Sequence, residues 1–144
     1  MTSKEFSYEG RAMKKCFFIV VLLMLQAGFA MASGVVVSNG IEAITPAQLK
    51  GLYRGKINNI SGERVKLVDL EPLQEEFLKK IVGKPLKRYK KIWARKLFIE
   101  GVLGPIYYKT PEKVIKYVKE TPNSIAYLPS VPEGASDLKV LLKF

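Results

Sequence analysis

Arg64-Val65-Lys66-Leu67-Val68-Asp69 decides the fold class, because its alternation gives way to a nearly apolar finish and a helix signal follows at once. Pro72 opens that helix, and Leu73, Phe77 and Ile81 recur every four residues along one face. A strand followed directly by an amphipathic helix is a building unit of an α/β domain.

Upstream, Gly34 to Ser38 is a short β-branched run closed by Asn39-Gly40, which predicts a buried strand ending in a turn. Thr45-Pro46-Ala47-Gln48 then sets a hydroxyl cap, a proline at the first helical position and a glutamine three residues after the cap. The helix it starts is expected to stop near Tyr53-Arg54-Gly55, and Asn58 to Gly62 reads as a loop.

Downstream, Gly83 ends the Phe77 helix and Pro85 opens another, predicted to run to Phe98 with Leu86, Tyr89, Trp93 and Leu97 on its apolar side. Its other face carries Lys87, Arg88, Lys90, Lys91, Arg95 and Lys96. Thr110-Pro111 repeats the cap-plus-proline start for a helix striped by Val114, Ile115 and Val118, which Thr121-Pro122-Asn123 breaks. Ser124 to Tyr127 is expected as a third strand and Leu138 to Phe144 as a last one. There are no internal repeats or low-complexity segments.

The N-terminus reads differently. From Met13, Lys14 and Lys15 precede the apolar run Cys16 to Leu25, and small residues end at Ala30-Met31-Ala32, the order of a secretory signal peptide. Gln26 and Gly28 interrupt the run, which falls short of the roughly 20 apolar residues of a spanning helix. Residues 1–32 are therefore expected to be an extension and cleavable signal, with translation starting at Met1 or at Met13. Residues 33–144 are expected to be one exported, periplasmic α/β domain without a stable membrane span.

Composition excludes several chemistries. The chain has no histidine, and its single cysteine, Cys16, lies inside the apolar run without a small-residue lipobox. Zinc sites, Cys-His nucleophiles and cofactor motifs are accordingly not expected, and the domain is read as non-enzymatic. Asp69 and Glu71 flank a helix start, where carboxylates are usually caps rather than an acid/base pair. Tyr89, Trp93 and Phe98 at helical spacing are expected in the core rather than on a stacking platform. Because 4 of the 24 basic and 2 of the 13 acidic residues precede Ser33, the remainder carries a net charge of +9. Export argues against nucleic acid as the partner. In an envelope compartment the excess would attract small anions, anionic lipid head groups or acidic polymers, or would form only a solvated basic face, and charge alone does not decide between them.

These residues, in this order, resemble the phosphate ABC transporter substrate-binding proteins, in the form of a small stand-alone relative of the type 2 periplasmic-binding fold. The resemblance spans most of residues 33–144. It is carried by Leu49 to Lys56, by Val65 to Asp69 with the Phe77 helix, by Tyr89 to Phe98 with Trp93-Ala94-Arg95, and by Ser124 to Tyr127. The Trp93 segment followed by Gly101 and Pro105 is its most specific part. It implies one lobe of that fold, a mixed sheet flanked by helices, phosphate or another small anion as ligand, and an envelope protein or transporter component as partner. Where relatives carry a Ser-Gly-Thr phosphate loop, this chain reads Glu71-Pro72-Leu73-Gln74, and Ile60 and Ala126 stand near positions where relatives often have Trp and Gly.

Two functions follow as expectations. One is an anion-binding module using Ser38, Asn39 and Gly40 at the end of the first strand, together with Asp69, Gln74 and the amides near it. The other is a structural or adaptor protein that has lost the ligand and docks an anionic partner through Lys87, Arg88, Lys90, Lys91 and Arg95.

Overall fold

The computed structural model describes residues 33–131 and 133–144. The segment expected as an export signal, residues 1–32, lies outside the described residues. In chain order the elements are β1 (Val35–Asn39), α1 (Pro46–Tyr53), β2 (Asn59–Ile60), β3 (Glu63–Arg64) and β4 (Lys66–Leu70). Helix α2 follows as a 3-10 turn (Glu71–Leu73), an α turn (Gln74–Phe77) and a π turn (Leu78–Val82). Helix α3 (Leu86–Arg95) also continues into a π turn (Lys96–Glu100). Then come β5 (Ile106–Tyr108), α4 (Pro111–Glu120), β6 (Ser124–Leu128) and β7 (Lys139–Lys143).

Five strands form one mixed sheet in the order β5-β4-β6-β1-β7. β4 runs parallel to β5 and β6, whereas β1 is antiparallel to both of its neighbours, β6 and β7. β1 is thus reversed among four strands of common direction. All of β6 and nearly all of β1 and β4 are buried, as for strands covered on both faces, while β5 and β7 form the exposed edges. Reciprocal bonds between the backbones of Gly34 and Phe144, both 3.0 Å, fix the carboxyl terminus beside the start of β1.

Local signals explain most of these elements. At α1 the Thr45 hydroxyl accepts from the Gln48 amide at 3.1 Å and the Gln48 side chain accepts from the Thr45 amide at 2.9 Å, the reciprocal box that the sequence predicts. α4 begins at Pro111 as expected, but the Thr110 hydroxyl makes no cap bond. The loop expected over Asn58 to Gly62 holds β2 and the turn of the β2–β3 hairpin, made by Ser61 and Gly62 at positive φ. Arg64 belongs to that hairpin rather than to β4.

The two π turns correct the expected helix faces. In α2 the wider turn buries Leu78 and Val82 beside Phe77, leaving Leu73 and Ile81 only partly buried. At the end of α3 it carries Leu97 and Phe98 out of the core that the spacing assigns them, whereas Tyr89 is buried and Trp93 half-buried. Among the described residues no helix is long and apolar enough to cross a membrane.

Candidate functional site

The carboxyl end of β4 gathers most of the buried polar chemistry. Asp69 is only 3% exposed there, and it accepts three hydrogen bonds. The Tyr89 hydroxyl from α3 donates to Oδ2 at 2.6 Å, the Gln74 amide from α2 to the same oxygen at 3.4 Å, and the Tyr127 hydroxyl from β6 to Oδ1 at 2.8 Å. Beside them the Tyr53 hydroxyl donates to the carbonyls of Val68 and Ile125, at 2.9 and 3.4 Å, while Trp93 Nε1 donates to the carbonyl of Tyr53 at 3.0 Å. Asp69 is therefore not the helix cap that its position predicts, because its oxygens turn inward to side chains of three different elements.

Aromatic packing holds this arrangement. Phe77 stacks on Tyr127 with centroids 4.0 Å apart and an interplanar angle of 13°, and meets Tyr53 and Phe144 edge-on at 4.8 and 5.3 Å. The rings fix the hydroxyls, and the hydroxyls fix the carboxylate.

Burial sets the electrostatics. Removal from water raises the Asp69 carboxyl to about 6, against the opposing pull of the bonds from Tyr89, Tyr127 and Gln74. Burial, reinforced by the Asp69 charge, also pushes the Tyr53, Tyr89 and Tyr127 hydroxyls well up, so all three stay neutral donors at physiological pH. No buried side-chain nitrogen or oxygen lacks a hydrogen-bond partner among the described residues. The buried donors at this end of β4 are thus already used by the protein.

A recess of about 380 Å³ opens over this network, with Asp69, Gln74, Tyr89, Lys90, Trp93 and Tyr107 in its wall. Gly104 closes one side, where a side-chain carbon would come within 3.3 Å of the Trp93 side chain. The adjoining start of α2 supplies little for an anion. Glu71 is exposed, Pro72 has no amide hydrogen, and the first turn is a three-residue 3-10 turn without a side-chain cap.

The candidate ligand residues do not form one site. Because β1 is reversed, its carboxyl end pairs with the start of β6, Asn39 opposite Ser124, whereas Asp69 and Gln74 lie at the other end of the sheet. Ser38 is fully buried and donates to the carbonyl of Ile41 at 2.6 Å. The Asn39 side chain donates to the carbonyls of Val118 and Lys119 at 2.8 and 3.1 Å, and Gly40 turns the chain at φ 88°. An anion held jointly by Ser38, Asn39, Gly40 and the Gln74 region is ruled out by strand direction. The candidate docking residues Lys87, Arg88, Lys90, Lys91 and Arg95 are all exposed along α3.

Tyr53, Tyr89 and Tyr127 are the site residues that sequence spacing does not reveal. A buried tyrosine hydroxyl needs a partner, but nothing local links positions 53, 69, 89 and 127. Among the described residues, no group of three His, Cys, Asp or Glu could hold a metal ion.

No protein-family model matches the chain, and no curated protein matches it in sequence. Solved structures do match. An ABC-type phosphate transport receptor from Vibrio cholerae superposes with a TM-score of 0.54 at 14% identity, over 76% of this chain and 45% of that one. PstS from Borrelia burgdorferi gives 0.49 at 16% identity, over 76% of this chain and 46% of that one. The chain spans less than half the length of these receptors, and the first likeness places its mixed sheet and helices in the periplasmic-binding fold.

Proposed function

We propose that this chain is a non-enzymatic, exported module of the periplasmic-binding fold that has given up a small ligand and meets an anionic partner through the basic face of α3. The closure of Asp69 carries this reading. Three protein donors occupy its oxygens, and the adjacent helix start offers carboxylates and a proline where an anion needs free amides. Lys87, Arg88, Lys90, Lys91 and Arg95 by contrast stay in water, outside the ion pairs formed among the described residues. Export is supported by the order of charges, apolar residues and small residues from Met13 to Ala32.

Retention on an immobilised polyanion such as heparin tests the reading. Reversing Lys87, Arg88, Lys90 and Lys91 to Glu is expected to remove most of it. The same charge change at the exposed Lys109, Lys113, Lys116 and Lys143 is expected to remove much less. Equal losses would mean that net charge, rather than this face, determines binding.

Phosphate binding is the second reading. Lys90 favours it, because this lysine stands in the wall of the recess at the carboxyl end of β4, where open α/β sheets receive ligands. Calorimetric titration with phosphate would then give heat that Lys90→Ala removes.

A further inference from the structure

α3 ends in a surface that the fold does not use. Its π turn closes at Gly101, φ 66°, and this turn and the following loop hold Phe98, Ile99 and Leu103 at 84, 70 and 79% exposure. Scattered apolar side chains are ordinary on a protein surface, but three large ones so exposed within six residues form a patch.

Positive charge borders the patch. Nine Lys and Arg residues and no acidic residue lie between Glu76 and Glu100. Lys87, Lys91 and Arg95 recur every four residues, Ile99 continues the series, and Phe98 follows Lys91 by seven. Such spacing places Lys87, Lys91 and Arg95 along one side of the α-helical part, and the exposed apolar tip follows directly at its carboxyl end.

We infer that this face docks on an anionic phospholipid surface, with Lys87, Lys91 and Arg95 among the headgroup phosphates and Phe98, Ile99 and Leu103 entering the boundary with the acyl chains. A soluble polyanion matches the lysines but offers nothing to the three apolar side chains. A bilayer of anionic lipid offers both, at the depth separation of an amphipathic interfacial helix. The inference rests on the basic-face reading above and names its partner.

The test uses the full chain as processed by the expressing cell, so that every variant shares one N-terminus. Sedimentation with phosphatidylcholine vesicles containing phosphatidylglycerol is expected to recover the protein, and vesicles of phosphatidylcholine alone to recover little. Binding should weaken as salt screens the charges. The triple variant Phe98→Ser, Ile99→Ser, Leu103→Ser is expected to lose about tenfold or more in vesicle affinity, while keeping its heparin retention and its thermal midpoint. Phe98→Trp is expected to gain fluorescence that brominated phosphatidylglycerol quenches. A triple variant that sediments like the parent, or an unquenched Trp at position 98, would overturn the lipid inference while heparin retention sustains the basic face. Loss of parent binding to both heparin and anionic vesicles would overturn the basic-face reading itself.

Discussion

At the end of β4 a carboxylate is taken out of water and each of its oxygens is met by a protein donor; at the end of α3 a phenylalanine and an isoleucine are left in water beside lysines. The first region has the residue types that usually signal a ligand site, yet its geometry turns them on one another. The second reads in sequence as core and solvated surface, yet its apolar groups find no cover in the fold. Chemistry available to a partner is set by what remains unsatisfied after folding rather than by which residues are polar.

The sharpest way to break this contrast is to remove the ring that supports the closed end. Phe77→Ala deletes a fully buried side chain touching Tyr53, Tyr127 and Phe144. It is expected to cost about 3–5 kcal/mol in denaturant unfolding. A cost below about 1 kcal/mol would show that the aromatic cluster does not hold the network.

Asp69 gives the next largest effect. Its folded pKa of about 6 lies above the unfolded value of about 3.9, so the folded state binds this proton more tightly. The stabilisation is complete below about pH 4 and is lost as pH rises to about 6, a fall of about 3 kcal/mol from this group. Asp69→Asn should therefore flatten the stability profile between pH 4 and 6 relative to the parent. Parallel profiles for the two proteins would contradict a carboxyl whose burial outweighs its three hydrogen bonds.

Tyr127→Phe sharpens the same point. It removes a donor to a charged acceptor, with an expected cost of about 1.5–3 kcal/mol at pH 8 and a smaller cost at pH 4, where Asp69 is neutral. A cost independent of pH would assign the hydroxyl to packing alone. At the other region, Phe98→Ser with Ile99→Ser is expected to leave unfolding within about 0.5 kcal/mol of the parent. A larger loss would place these side chains in the core after all.

Legibility in the sequence followed locality. The Thr45 box, the apolar finish of Arg64 to Asp69 and the β-branched run at Val35 are short-range patterns, and the elements form where those patterns stand. β5 has three residues and the β2–β3 hairpin two per strand, too few for either period to register. Strand direction is non-local. Nothing near Ser38 and Asn39 announces that β1 runs against its neighbours, so their separation from Gln74 appears only when the sheet is assembled. The π turns have the same effect on a smaller scale, since the 3.6-residue period that places Leu97 inside no longer applies beyond Lys96.

Whether the end of β4 is closed to ligand is decided by thermal unfolding with millimolar phosphate against sulfate at matched ionic strength. A ligand that binds the folded state at 100 times its Kd would add about 2.7 kcal/mol. A closed end gives the same midpoint in both salts. A phosphate-specific rise that Lys90→Ala abolishes would contradict it.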